Sequence, residues 1–275
     1  MPLVDVSSSQ TSTEVRFELL SEVYFDSFIE KFSPSWIGLF EQVKGSAVLR
    51  AFRGPAVQNE DSSLFKGQRC ESENQSQFLA TADSIRQLSH PLQWKGEILG
   101  WLIIESSQET RTFSDAEVMN MAGPLSCLLA WKECPWSARI ESLSTLKNLQ
   151  LHYSDFDWIG IYRRPVSTDD LLTLSTYIGE YTQHMEIPIS EGICGAAVRE
   201  ERTLNIPNVH ADPRFIACSI KTQSELVVPI RNFSNRVVAE IDIDSNTLEN
   251  FSSEKIASVE AAANHLGRLP ELFRE

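Results

Sequence analysis

The sequence has few of the features that would place a protein in a membrane or on nucleic acid. No apolar run approaches the ~20 residues that span a bilayer, and residues 1–15 lack the basic and apolar regions of a secretory signal. The chain has 24 basic residues against 38 acidic ones, a formal net charge of −14. This balance disfavours nucleic acid and anionic membrane surfaces as partners. We therefore expect a cytoplasmic protein with neither partner.

Cysteines are few, and their spacing is not that of a disulfide-bonded scaffold. There are five, an odd number with no short repeating spacing, so disulfides are not predicted. In a reducing compartment, an oxidised cysteine is transient and catalytic. His184, Cys194, His210 and Cys218 could be considered as a zinc set, but their spacings of 10, 16 and 8 contain no short pair. The sequence therefore predicts no metal site.

Two short phrases occur twice along the chain. Trp-Ile-Gly at 36–38 returns at 158–160, and GWLIIES at 100–106 is paralleled by AEIDIDS at 239–245. Such self-similarity indicates an internal duplication. Pro135 interrupts a helical pattern where the two copies meet.

Each copy follows the order helix, two strands, a variable middle, further strands and a closing helix. The opening helices are predicted over Glu14–Phe32 and Arg139–Leu151. This order indicates an α+β fold in which each copy has a mainly antiparallel sheet with helices on one face. We predict a disordered tail at 1–13, a first domain at 14–134 and a second domain at 135–275.

Local signals predict a hairpin and two helix starts. The runs 36–40 and 47–52 have the character of paired strands. Ser114 and Glu117 have the spacing of a capping box, and Ser252 is a predicted N-cap.

The candidate functional residues lie in the second copy. Cys194 lies in a Gly-Ile-Cys-Gly turn, Cys218 lies in a predicted loop, and Glu225 opens an apolar run. Asp242 and Asp244 alternate along a strand, so both side chains project from one face. A thiolate in a polar, accessible setting is reactive, and a nearby carboxyl group can give a proton to a leaving oxygen. These residues therefore indicate thiol chemistry.

The same residues also have structural interpretations. Cys194 could be a small buried hydrophobe, and Glu225 could be a solvated strand end. Asp242 and Asp244 could lie on the solvated face of the sheet.

The remaining aromatic residues and cysteines are interpreted similarly. Trp158 and Tyr162 fit a core as well as a pocket wall, because Trp36 and Phe40 hold the same places in the first copy. The other cysteines are predicted to be structural: Cys70, Cys127 and Cys134.

Most of the second copy resembles a GAF domain and, within that superfamily, the free methionine-(R)-sulfoxide reductases. The segments that carry the resemblance are 157–162, 191–197, 216–218, 224–230 and 241–245. The first copy resembles a GAF domain only through its two repeated phrases and has none of the reductase signature. The resemblance implies two tandem GAF-like domains, of which only the second has a site.

The resemblance also implies residue roles for the reduction of free methionine sulfoxide. Cys218 is the expected nucleophile on the sulfoxide sulfur. Glu225, Asp242 and Asp244 are expected to bind the substrate ammonium group and to protonate the sulfoxide oxygen. The methyl group is expected to lie between two aromatic walls, Trp158 and Tyr162.

Recycling of the oxidised enzyme is expected to need a second thiol. His184 stands where the reductases commonly have a further cysteine, ten residues before Cys194. Cys194 therefore either resolves the Cys218 sulfenic acid, or an external thiol such as glutathione does, or turnover has been lost. No bound cofactor is expected; the reductant is a thioredoxin-like or glutathione dithiol system.

A binding function is the alternative to catalysis. The same pocket could serve a non-catalytic sensor of a small, amino-acid-like ligand. The duplication predicts either a monomer, in which the first domain replaces a partner subunit, or a homodimer.

Overall fold

The computed structural model describes most of the second half of the chain and separate parts of the first half. The described residues are 20, 24–25, 29, 34, 36–44, 46–53, 77–80, 86–106, 113–165, 170–216 and 219–272. The predicted tail at 1–13 and most of the helix predicted over Glu14–Phe32 lie outside them. Within the described ranges, no helix combines the length and apolar character that crossing a bilayer requires.

The chain divides into two compact units between Thr112 and Phe113. The first unit contains a five-stranded antiparallel sheet of order β2-β1-β5-β4-β3. Its strands are β1 (Trp36–Val43), β2 (Ser46–Arg53), β3 (Gln77–Ala80), β4 (Arg86–Trp94) and β5 (Glu97–Ser106). β1 and β2 pair with each other, which confirms the predicted hairpin.

The second unit contains a six-stranded antiparallel sheet of order β8-β7-β6-β11-β10-β9. Its strands are β6 (Trp158–Arg163), β7 (Leu171–Ile178), β8 (Glu186–Pro188), β9 (Leu204–Ile206), β10 (Ser224–Arg231) and β11 (Val237–Ser245). Its helices are α1 (Asp115–Ala130), α2 (Trp136–His152), α3 (Gly192–Glu200) and α4 (Ser253–Gly267).

The two sheets have the same strand order when β8 is set aside, and the repeated phrases form the same central strand pair in each. In the first sheet, Trp36 of β1 is paired with Glu105 of β5. In the second sheet, Trp158 of β6 is paired with Asp244 of β11. The self-similarity of the sequence therefore corresponds to one strand order and one register, found twice.

The helices of the second unit cover both faces of the sheet, so the prediction that they lie on one face is wrong. Ile241 of β11 belongs to the same core cluster as Leu146 of α2 and Val259 of α4. Cys194 of α3 instead contacts Glu225, which lies on the opposite face of the sheet. The central strands are buried on both sides, and each side needs a cover.

α1 belongs to the second unit, whereas the sequence placed the division of the chain near Pro135. α1 contacts β7, and the Asn120 side chain accepts a hydrogen bond of 2.7 Å from the Tyr181 backbone. The turn between α1 and α2 is closed by the buried Arg139, which donates to the carbonyl oxygens of Leu128 and Cys134. Pro135 interrupts the helical pattern as predicted, but within one compact unit.

The predicted helix starts are confirmed. The Ser114 hydroxyl accepts from the Glu117 backbone, and the Glu117 carboxylate accepts from the Ser114 backbone. Ser252 caps α4 through the backbone of Lys255. These interactions satisfy backbone N–H groups that have no partner inside the helix.

Candidate active site

The acidic side chains of the second sheet lie in adjacent positions on one face. Glu225 of β10 is paired with Asp244 of β11, and Asp244 is paired in turn with Trp158 of β6. Asp242 lies two residues before Asp244, so strand alternation places both on this face, as predicted. The structure therefore brings together all three predicted acidic residues and one predicted aromatic residue.

These acids are almost fully buried, and burial is the main cause of their shifted pKa values. Glu225, Asp242 and Asp244 are 5%, 2% and 5% exposed, which rules out the solvated-strand interpretation. Burial raises the pKa of Asp242 to about 7, although the Cys194 thiol and the Ile243 backbone partly offset the rise. Burial, followed by the charge of Asp242, raises the pKa values of Glu225 and Asp244 well above their usual range. A neutral acid that can donate a proton is therefore available near pH 7.

Cys194 lies beside these acids at the start of α3. Its Sγ is 4.0 Å from Glu225 Oε1, and the side chain is 6% exposed. Two glycines allow this placement: Gly192 begins the helix with a φ of 71°, and a Cβ at Gly195 would overlap the carbonyl of Ile189. The Gly-Ile-Cys-Gly sequence is thus a helix start packed closely against the backbone before it.

Three of these side chains also form a donor set that a metal ion could use. The ligand atoms of Cys194, Glu225 and Asp242 all lie within 4.8 Å of one another. A thiolate with two carboxylates is a chemically suitable set for zinc. It differs from the zinc set considered from the sequence, because neither His184 nor His210 belongs to it.

Glu240 is an acidic residue of this face that the sequence reasoning missed. It is fully buried, and neither oxygen has a hydrogen-bond partner of normal geometry in the described part of the chain. Burial and the charge of Asp242 raise its pKa well above the usual range, while the Cys194 thiol offsets part of the rise. The alternation of acids at 240, 242 and 244 was visible in the sequence.

A cavity of about 150 Å³ opens next to Asp244. Its lining residues are Asp157, Trp158, Glu180, Tyr181, Thr182, Ser219, Lys221, Thr222, Asp244 and Asn246. Asp244, Thr182 and Thr222 are buried and form its floor, whereas Glu180 and Lys221 are exposed and form its mouth. Pockets for drug-sized ligands have roughly 300–1,000 Å³, so this cavity suits a smaller molecule.

The two predicted aromatic walls have different positions. Trp158 lines the cavity and stacks on Tyr177, with ring centroids 5.5 Å apart. It lies over Gly160, where a Cβ would overlap the indole ring. Tyr162 is fully buried and is not among the lining residues, and its hydroxyl donates to the His184 carbonyl oxygen at 2.7 Å. Tyr162 thus holds the segment around His184 in place.

The predicted nucleophile, Cys218, lies outside the described residues. Ser219, which follows it in the chain, lines the cavity together with Lys221 and Thr222. The segment before it is anchored by Arg214, which pairs with Asp212 at 2.7 Å and with Glu200 at 3.1 Å. The role of Cys218 therefore remains a prediction.

The other described cysteines have buried surroundings. Cys127 is fully buried, and burial raises the pKa of its thiol far above the usual range. Burial raises the pKa of Cys134 to about 12. Neither thiol ionises near neutral pH, which agrees with the structural roles predicted for them.

Comparison with known proteins matches most of the second unit to one family. The GAF domain family model matches residues 143–269. The free methionine-R-sulfoxide reductase of Escherichia coli is 33% identical over 116 residues, which cover 41% of this chain and 67% of that protein. The chain belongs to the GAF domain family.

Two further comparisons cover different shares of the matched proteins. The free methionine-R-sulfoxide reductase of Saccharomyces cerevisiae is 35% identical over 97 residues, 35% of this chain and 53% of that protein. The chain thus spans about half the length of the yeast relative. A solved type II free methionine-R-sulfoxide reductase from Thermoplasma acidophilum is 33% identical, with 50% of this chain and 94% of that chain covered and a TM-score of 0.46.

Proposed function

We propose that the second unit is a thiol-dependent reductase of free methionine-(R)-sulfoxide. The observation that carries the proposal is the buried acidic face of Glu225, Asp242 and Asp244 next to a small cavity. The similarity to two proteins named free methionine-R-sulfoxide reductase supports the same substrate. A buried set of acids beside a cavity suits a cationic ligand, and the ammonium group of a free amino acid is one.

Substrate binding in this proposal uses the face and the cavity together. The ammonium group lies against Asp244, which is both part of the acidic face and a cavity residue. The thioether end lies against the Trp158 ring, which lines the same cavity. Glu225, the neighbour of Asp244 in the sheet, keeps its proton because burial disfavours its charged form.

The chemical step transfers one oxygen atom from the substrate sulfur to the Cys218 sulfur. The Cys218 sulfur attacks the sulfoxide sulfur while an acid of the face protonates the sulfoxide oxygen. The protonated oxygen then moves to the Cys218 sulfur as a hydroxyl group, while the bond between the two sulfur atoms and the substrate S–O bond break. Cys218 is left as a sulfenic acid, and methionine leaves. The cysteine sulfur is oxidised by two electrons and the substrate sulfur is reduced by two.

Recycling uses Cys194 in this proposal. Its thiol condenses with the Cys218 sulfenic acid, forming a disulfide and releasing water. An external dithiol such as thioredoxin then reduces the disulfide. Cys194 lies beside Glu225 on the acidic face, and its thiol hydrogen leaves in the released water.

An activity assay with matched substrates tests the proposal. The full chain is incubated with free methionine-(R)-sulfoxide, its S epimer and a peptide-bound sulfoxide, together with a thioredoxin system. We expect consumption of the free R epimer alone. Cys218→Ser should abolish it, and Cys194→Ser should allow one turnover per chain but not many.

A cysteine outside the acidic face provides the control. Cys134→Ala changes a buried thiol of the core cluster and should retain multiple turnover. Full thioredoxin-dependent turnover in Cys194→Ser would show that Cys194 is not the resolving thiol. Tight binding of methionine sulfoxide without turnover in the wild type would favour the amino-acid sensor.

We also propose that the first unit is a second GAF-like sheet without a reductase site. The shared strand order and register support this. Ile103 in the first sheet is paired with Gly38, as Asp242 in the second sheet is paired with Gly160. An aliphatic residue there cannot bind an ammonium group. Native mass spectrometry of the full chain distinguishes the predicted monomer from the homodimer.

A further inference from the structure

The cavity has an uneven distribution of charge between its floor and its mouth. Asp244 is buried at the floor, whereas Lys221, the only basic side chain among the described lining residues, lies at the mouth. Lys221 Nζ is 2.6 Å from Glu180 Oε1, and the two side chains are 55% and 65% exposed. An ion pair this exposed contributes little stability, so a ligand anion can replace Glu180 at small cost.

Two residues that line the cavity with Lys221 have buried polar groups without a hydrogen-bond partner among the described residues. Thr222 is 1% exposed and lines the cavity, yet its hydroxyl has no hydrogen-bond partner among the described residues. The indole N–H of Trp158 is likewise buried without a described partner. A buried donor without a partner costs free energy, and an anionic ligand in the cavity would remove that cost.

We infer that Lys221 and Thr222 receive the α-carboxylate of the ligand while Asp244 faces its ammonium group, so that the cavity selects a free zwitterionic amino acid. This assignment rests on the proposed function and adds the residues that exclude peptides. A peptide-bound methionine sulfoxide has no free carboxylate of its own and no ammonium group, so it would leave both ends of the site unsatisfied. Before the ligand binds, the Glu180 carboxylate occupies the position next to Lys221 that the ligand carboxylate takes.

Two substrates that differ only at the carboxylate test the assignment. Wild type and Lys221→Gln are compared on free methionine-(R)-sulfoxide and on its methyl ester. In the wild type the free acid should have the lower KM. Lys221→Gln should raise KM for the free acid by about two- to fivefold, leave kcat near the wild-type value, and change KM for the ester little. Thr222→Val should act in the same direction with a smaller effect.

Two further variants serve as controls. Glu180→Gln removes the residue that competes for Lys221, so KM for the free acid should stay equal or fall. Lys255→Gln removes an ammonium group that pairs with Asp155 and does not line the cavity, so the preference should not change.

A binding measurement separates this assignment from the proposed reduction. If the wild type reduces no sulfoxide, the proposed function fails, and calorimetric titration with methionine and methionine methyl ester then measures the preference directly. Preference for methionine that is lost in Lys221→Gln supports the assignment. Equal effects of Lys221→Gln on both ligands, no effect on either, or no binding of methionine by the wild type would overturn it.

Discussion

Glu225 of β10 and Asp244 of β11 lie directly opposite each other in the antiparallel pairing, and both are almost fully buried. Two like charges in this arrangement destabilise the sheet. The pair is therefore stable in the folded chain when at least one acid keeps its proton, which agrees with the raised pKa values of both. A cation placed against the pair would reverse this preference, so binding of an ammonium group should release protons.

Asp242→Asn should make the protein less sensitive to pH. The pKa of Asp242 rises from 3.8 to about 7 on folding, so its contribution to stability is complete below pH 4 and is lost as the pH rises through 7. Asparagine stays neutral, so the stability of the variant relative to the wild type should increase between about pH 4 and pH 7. The gain should be on the order of 4 kcal/mol at most. Urea unfolding at several pH values measures it, and parallel curves would contradict the assignment.

Glu240→Leu should stabilise the protein. The change replaces a fully buried carboxyl group, without a hydrogen-bond partner of normal geometry among the described residues, by an apolar side chain. We expect a gain of about 1–3 kcal/mol in the free energy of unfolding at pH 8. The gain should be smaller at pH 5, because an acid with a raised pKa is protonated there. Glu240→Gln, which keeps a buried polar group, should gain less; a lower stability of Glu240→Leu would refute this account.

Gly160→Ala should disturb the cavity through Trp158. A Cβ at this position overlaps the indole ring, so either the ring or the strand has to move. Overpacking of this kind costs about 1–3 kcal/mol, measured as a lower midpoint in thermal unfolding. Methionine sulfoxide binding should weaken too, since Trp158 lines the cavity. The second change Trp158→Phe, with a smaller ring, should recover stability but not binding; an unaltered midpoint in Gly160→Ala would be inconsistent with the contact.

Arg139→Ala should destabilise the second unit by about 3 kcal/mol. The buried guanidinium group donates to the carbonyl oxygens of Leu128, in the last turn of α1, and Cys134, in the turn before α2. Its removal leaves buried acceptors without donors. Arg202→Ala is the matched control, because its side chain is 61% exposed and its pair with Glu200 contributes less than about 1 kcal/mol. Chemical denaturation of both variants should separate them clearly.

The sequence predicted the sheet and its acidic face because strand alternation is a local property. The position of Asp242 two residues before Asp244 was sufficient to place both on one face. The run that begins at the first Trp-Ile-Gly likewise predicted a strand, which is β1 of the structure. The same alternation extends to Glu240. This residue was missed because, among the acids of this strand, the resemblance implies roles for Asp242 and Asp244 only.

The cavity and the cover of the sheet could not be predicted in this way. Lys221 and Glu180 meet from two loops, separated by 41 positions in the chain, and loops have no periodicity from which their neighbours can be inferred. α1 was assigned to the first domain because Pro135 interrupts the helical pattern after it. Its packing against β7 depends on tertiary contacts that the local pattern does not contain.

The matching registers of the two sheets have a consequence for engineering. Gly38 and Ile103 of the first sheet correspond in their pairing to Gly160 and Asp242 of the second, and all four have aliphatic neighbours along their strands. Ile103→Asp would therefore place a buried acid in the first sheet without altering how its strands pair. The chain thus contains its own reference sheet, on which the stability lost by burying an acid can be separated from any benefit to ligand binding.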